Sequence, residues 1–338
     1  MVGVVQLAEH RIVVPGVVGS SPITHPIKQR IPNGILCFYM GLERRIRKHT
    51  GGCASQIQKP FPVLFVETYL FLCYNKKNTL KAGEEMACSE DAIAVFDSGV
   101  GGISVLRELI KLMPQENYLY FGDSANAPYG DKSTKAVRSL CLQAAEMLLH
   151  RNTKALVIAC NTATAAAIHL LRQQYPNTII IGIEPALKLA TDHFPCGRIG
   201  IMATQVTLRE EKLAHQMERF PQAEILRIPA PGLVEQIESG RIHTPETETL
   251  LANILSPYRG NLDALVLGCT HYPFVKDIIA KILGPEVLLL DGGEGTARQT
   301  QRCLTAAGLI HDGPGSITIE NSLSTPESLQ LSHRLLEL

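Results

Sequence analysis

Two stretches, ALVIACNTATAAA at 155–167 and ALVLGCTHYPFV at 264–275, share one pattern: an apolar run that ends in a cysteine and then turns small or polar. Short continuous apolar runs of this kind read as strands buried on both faces, the type found in parallel sheets. The cysteine then falls at the carboxyl end of each strand. In open parallel sheets, that end is where ligands bind.

Working outward, the same texture recurs from residue 92. IAVF (93–96) reads as a strand, DSGVGG (97–102) as a turn, and ISVLRELIKLM (103–113) has helical apolar spacing before Pro114. The unit repeats as NYLYFGD with the helix KAVRSLCLQAAEMLLH, as KALVIAC with NTATAAAIHLLRQQY, and as TIIIGIEPALKLA. Alternating strands and helices predict a mainly parallel sheet covered by helices. After about residue 190 the pattern restarts: RIGIMATQVTLREEKLAHQM echoes AIAVFDSGVGGISVLRELIKLM. Asp97 and Thr204 are 107 positions apart, Cys160 and Cys269 are 109 apart. Two landmarks repeating at nearly one offset predict an internal duplication. The expected fold is therefore α/β: two pseudo-symmetric, doubly wound domains with mainly parallel sheets and an active site in the cleft between them. The first domain is expected over 91–187 plus 296–338, the second over 188–295; DGGEGTARQT (291–300) marks the return to the first.

Residues 1–90 show no sustained period. They mix Pro/Gly turns, the basic LERRIRKHTGG and the apolar FPVLFVETYLFLCY (61–74), which is shorter than a membrane-spanning helix and carries Glu67. No secretory signal is evident. This extension is expected to be disordered or not translated, with the start at Met86.

Composition narrows the partner. Lys plus Arg (32) balances Asp plus Glu (32), so no global field favours nucleic acid or an anionic membrane. Nine cysteines without a CxxC pair or a zinc-type spacing suggest neither a disulfide framework nor a metal site, and point to a reducing cytoplasm. A small polar molecule is the expected ligand, with no nucleic acid and no membrane; a homodimer is compatible with the sequence.

Two matched thiols facing one ligand suit a particular chemistry. Inverting a stereocentre requires one group to remove a proton from one face and another to deliver a proton to the opposite face. One ionised and one protonated thiol meet that need closer to their reference pKa values than two lysines or two carboxylates would. Both cysteines are expected at or just before helix starts, where backbone N–H groups favour thiolates and substrate carboxylates. A lone cysteine at a strand end is more often inert; the pairing and the polar neighbours Asn161, Thr162, Thr270 and His271 argue for chemistry.

VFDSGVGG, GDSANAPYG, ACNTATAAA, GIEPA and GCTHYPF, in this order over roughly residues 92–310, resemble the glutamate racemases. Related aspartate racemases commonly carry an acidic residue after the second Cys-Thr, where this chain has His271, so the resemblance favours glutamate. It implies a cofactor-independent racemase that supplies D-glutamate for peptidoglycan, with no cofactor and no metal, and with Cys160 and Cys269 as the catalytic thiols. Asp97 is implied as an aid to Cys160 and His271 as an aid to Cys269. An assisting glutamate is implied in GLVEQIESG (232–240), with Glu238 preferred over Glu235. Implied substrate contacts are Asp97, Ser98, Pro128, Tyr129, Gly130, Asn161, Thr162, Thr270 and His271.

Other readings of these residues are less specific. Asp97 is also a suitable turn former, and Tyr129 an ordinary turn residue. DSGVGG lacks the spacing of a dinucleotide or P-loop motif. An aspartate or other amino-acid racemase of the same superfamily and a two-lobed solute-binding protein are the alternatives, and a thiol hydrolase would leave the second cysteine without a role.

Overall fold

A computed structural model describes residues 87–338, apart from Glu210, and these residues fall in one compact unit. The extension expected over 1–90 lies outside the described residues as far as residue 86. Residues 88–90 already belong to the fold. The carbonyl of Ser89 accepts a hydrogen bond from Lys154, which forms a buried ion pair with Glu116 at 2.5 Å, and the carbonyl of Glu90 accepts from Asn117.

The chain runs β1 (Ala92–Asp97), α1 (Ile103–Leu112), β2 (Asn117–Gly122), α2 (Thr134–Leu149), β3 (Thr153–Ile158), α3 (Asn161–Gln174), β4 (Ile179–Gly182) and α4 (Leu187–His193). It continues through β5 (Arg198–Ala203), α5 (Gln205–Arg209), α6 (Glu211–Glu218), β6 (Glu224–Pro229), α7 (Leu233–Glu238), α8 (Pro245–Leu255), β7 (Ala264–Leu267), α9 (Lys276–Leu283) and β8 (Leu288–Asp291). Last come α10 (Gly293–Ala307), β9 (Ser316–Asn321) and α11 (Pro326–Glu337).

Two parallel sheets result, ordered β4-β3-β1-β2-β9 and β6-β5-β7-β8. Read from the other edge, the second is β8-β7-β5-β6, the same winding as β4-β3-β1-β2 with each strand four later in the chain. The duplication inferred from spacing thus reappears as topology. Among the described strands only β9 breaks the correspondence: it crosses back to the first sheet and pairs with β2, setting Asn321 opposite Gly122.

Helices cover both faces of these strands, and the strand sequences show why. In β1, Ile93 and Val95 pack with Val105, Leu106 and Leu109 of α1 on one face. Ala94 and Phe96 pack with Val137 and Cys141 of α2 and Ala163 and Ala167 of α3 on the other. The period-2 alternation of a strand sends successive apolar side chains to opposite cores, so a strand buried on both sides reads as a continuous apolar run. Each fully buried Leu or Ile contributes about 1.5–3 kcal/mol. α1 ends at Met113 because Pro114 cannot extend it.

The winding reverses direction between β1 and β3 in the first sheet and between β5 and β7 in the second. Crevices open at such reversals, beyond the carboxyl ends of the strands. Asp97 and Cys160 follow or end β1 and β3; Thr204 and Cys269 follow β5 and β7. Among the described residues no helix is long and apolar enough to cross a membrane.

Candidate active site

The loop after β1 is built to receive residues from the other half of the chain. Asp97 is fully buried; its Oδ1 accepts from the Gly99 N–H at 2.9 Å, and its Oδ2 accepts from Thr270 Oγ1 at 3.1 Å. Two glycines in this loop make room for second-half side chains. A Cβ on Gly99 would stand 1.8 Å from Glu238 Oε1, and one on Gly101 would stand 2.5 Å from His271 Nδ1. DSGVGG is therefore a docking surface for a carboxylate and an imidazole of its own chain.

Cys160 is the N-cap of α3. Its Sγ accepts from the Ala163 N–H at 3.4 Å and lies 3.4 Å from Ser98 Oγ. Burial, and next the Asp97 carboxylate, push this thiol up to about 12, against the lowering effect of the Ser98 hydroxyl and the Ala163 N–H. This side of the site holds a protonated sulfur.

Cys269 differs from the expectation of a helix start. A 3-10 turn at Tyr272–Val275 follows it, and α9 begins only at Lys276. The i to i+3 bonds Tyr272 N–H to Cys269 O (3.2 Å) and Phe274 N–H to His271 O (3.2 Å) form this turn, and Pro273 lacks the N–H that an α-helix would bond back to Cys269. In place of a helix terminus, Cys269 has an imidazole: His271 Nδ1 lies 3.5 Å from its Sγ. His271 Nε2 is 2.6 Å from Glu238 Oε1. The same carboxylate accepts from the Val100 N–H at 2.8 Å and from Ser124 Oγ at 3.3 Å.

These contacts set opposite charges. Burial opposes the charged form of His271, but its bonds to Cys269 and Glu238 outweigh burial and raise the imidazole well above the ordinary histidine range. Burial alone would raise Glu238; the His271 bond and charge, with Val100 and Ser124, bring it below the ordinary carboxylate value. Asp97 is raised, chiefly by burial. Glu238 and His271 form a partly buried ion pair, and the imidazole faces the Cys269 sulfur.

A narrow cavity, partly open to solvent, lies between the two thiols. Ser98, Pro128, Tyr129, Gly130, Cys160, Asn161, Thr162, Cys269, Thr270 and His271 line it, while Asp97 and Glu238 stand behind this wall. Glu235 is exposed and does not line it. Tyr129 lines the cavity, and its hydroxyl donates to Asp123 Oδ2 at 2.7 Å. Asn161 Oδ1 is buried without a partner, an unused acceptor. Among the described residues no Lys or Arg lines the cavity.

Thr204, Thr207, Val234 and Gly268 also line it, and the sequence reading missed them. Thr204 donates to Thr207 Oγ1 at 3.1 Å, and Thr162 Oγ1 lies 3.4 Å from the same hydroxyl, closing the wall between the halves. The signal for Thr204 was available: it is the residue that the 107-position offset equates with Asp97.

Fold and site together define a two-lobed α/β protein with a cysteine of each lobe on a shared polar cavity. The chain belongs to the Asp/Glu/Hydantoin racemase family, whose sequence profile matches residues 101–300. It is 49% identical over 249 residues to a glutamate racemase of Clostridium botulinum, covering 72% of this chain and 96% of that one. A crystal structure of a glutamate racemase isoform from Bacillus anthracis superposes with a TM-score of 0.67 at 31% identity, over 74% of this chain and 95% of that one. The glutamate racemase of Francisella tularensis in complex with D-glutamate gives 0.65 at 28% identity, over 74% and 95%.

Proposed function

We propose that this chain is a cofactor-independent glutamate racemase that uses Cys160 and Cys269 as its two acid–base groups. The observation that carries the reading is the unequal pair of thiol environments on one cavity: the His271 imidazole, itself bonded to Glu238, at the Cys269 sulfur, and burial with the Asp97 carboxylate at Cys160. We assign Cys269, beside the imidazole, as the proton acceptor in one direction, and Cys160 as the donor.

In one direction the α-C–H bond breaks towards Cys269 and an S–H bond forms there. The S–H bond of Cys160 breaks, and its proton is delivered to the opposite face of the α-carbon. No electrons are gained or lost, and the reverse reaction exchanges the roles. His271, held by Glu238, stabilises the thiolate of Cys269; Asp97 and Ser98 act on the Cys160 side. Ser98, Asn161, Thr162, Thr270 and the Pro128–Gly130 backbone supply hydrogen bonds to the substrate, with Asn161 Oδ1 available to an ammonium. Without Lys or Arg on the wall among the described residues, no fixed cation there holds both thiols ionised.

The two lobes are read as residues 91–187 plus 296–338 and residues 188–295. The cysteine spacing, with no CxxC pair, favours a reducing cytoplasm, where D-glutamate would serve peptidoglycan synthesis. The test is circular dichroism of L-glutamate incubated with the full chain, reduced and without added cofactor, beside L-aspartate. Decay of the glutamate signal to zero supports the reading. Decay with aspartate alone overturns the substrate assignment, and no decay with either overturns racemisation.

A further inference from the structure

β9 lies outside the family match of residues 101–300, yet a buried amide at its end is joined to the Cys269 side of the site. Asn321 is 4% exposed, and its Nδ2 donates to Ser124 Oγ at 2.9 Å. The orientation of the amide is fixed by its other atom. Oδ1 accepts from the Leu323 N–H at 2.9 Å, and a backbone N–H can only donate. Ser124 Oγ accepts from Asn321 and stands 3.3 Å from Glu238 Oε2, and an ionised carboxylate can only accept, so the serine proton is directed at Glu238. Glu238 Oε1 takes the Val100 N–H and His271 Nε2, and His271 Nδ1 faces the sulfur of Cys269. Glu238 thus accepts from both sides, from Ser124 on the side of the last strand and from His271 on the side of the thiol.

We propose that Asn321 and Ser124 are positioning residues for the Cys269 half of the reaction: they hold the second oxygen of Glu238 and thereby the imidazolium proton that faces Cys269. This rests on the two-thiol reading above. Without the Asn321 donor, the Ser124 hydroxyl is free to turn, the carboxylate loses a fixed partner, and the imidazole loses its rigid counter-charge. Preorganised groups lose effect when their supports loosen. The effect is one-sided, because among the described residues the second sheet has no strand corresponding to β9.

Two substitutions separate this role from mere packing. Asn321→Asp keeps the size and the acceptor for Leu323 but replaces the donor to Ser124 with an acceptor; Ser124→Ala removes the link without touching β9. Each is placed in full-length protein carrying Cys160→Ala, which leaves Cys269 as the sole thiol base, and in protein carrying Cys269→Ala, which leaves Cys160. Exchange of the glutamate α-proton with deuterated water is followed by NMR, with thermal melting as the check on folding. The expected result is about tenfold slower exchange in the Cys160→Ala background and a change within about twofold in the Cys269→Ala background. Equal loss in both backgrounds, or none in either, overturns the proposal.

A second readout needs no turnover: the pH dependence of iodoacetamide alkylation at each cysteine, resolved by mass spectrometry. Asn321→Asp is expected to move the Cys269 profile to higher pH and leave that of Cys160 in place; coincident Cys269 profiles overturn the proposal. If the unsubstituted protein racemises nothing, the two-thiol reading fails on its own, and the alkylation profiles still decide whether Asn321 acts on Cys269.

Discussion

His271 Nε2 lies 2.6 Å from Glu238 Oε1 while the Nδ1 of the same ring lies 3.5 Å from Cys269 Sγ, so one imidazole joins a carboxylate to a thiol. Among the described residues the Cys160 side has no such group: at the offset that equates the two cysteines, Thr162 stands where His271 does. Two lobes of one winding have acquired chemically different supports for the same residue.

Replacing either thiol by a hydroxyl removes an acid–base group of usable pKa. Cys160→Ser and Cys269→Ser are each expected to lower kcat for racemisation by about 10²–10⁴-fold, read by circular dichroism with either enantiomer. Near-normal turnover without one thiol contradicts a two-base scheme.

The ion pair has a defined pH window. Glu238 titrates below its ordinary 4.5, so its stabilisation is complete above that value and is lost as pH falls through the lowered one. His271 titrates above its ordinary 6.5, so its contribution is complete below 6.5 and is lost as pH rises through the raised value. In Glu238→Gln the counter-charge is gone and the imidazolium is less well held. The alkaline limb of kcat/KM is expected to move to lower pH, with kcat about 10²-fold lower at the optimum. An unmoved limb assigns it to another group.

Gly99 and Gly101 are required by close approach. Gly99→Ala, with its Cβ 1.8 Å from Glu238 Oε1, must displace that carboxylate. The expected cost is about 1–3 kcal/mol of stability by denaturant melting, with a loss of activity as large as that of Glu238→Gln. Wild-type activity in Gly99→Ala would show that the position of Glu238 does not matter.

Thr207 joins Thr204 and Thr162 across the cavity wall. Thr207→Val keeps the shape and removes the hydroxyl. KM for glutamate is expected to rise about fivefold to tenfold with kcat changed less, the signature of lost ground-state binding.

Strands were legible in the sequence because strands buried on both faces read as unbroken apolar runs, and the two lobes because 107 and 109 are nearly one offset. The polar cavity wall was partly legible for the same reason: residues next to matched cysteines fall at matched strand ends. What remained hidden depends on tertiary contact. Glu235 and Glu238 sit three positions apart on α7 and read alike; only the space above Gly99 and the reach of His271 separate them. Tyr129 is implied as a substrate contact, but nothing local in the sequence shows that its hydroxyl is bonded to Asp123. A helix start was expected after Cys269, but Pro273 and the bonds of a 3-10 turn delay it to Lys276. Asn321 carried no local signal, because its position beside Gly122 is a consequence of β9 pairing with β2.

The central claim is that the two thiols act on opposite faces of one carbon, and initial-rate racemisation of L-glutamate in deuterated water tests it most directly. Early in the reaction, the account predicts α-deuterium in essentially all of the D-glutamate formed and an undeuterated pool of remaining L-glutamate, because one sulfur keeps the substrate's proton while the other delivers a solvent-derived one. Substrate-derived hydrogen carried into the D-product, or deuterium appearing equally in both enantiomers from the start, would place a single base at the α-carbon and contradict it.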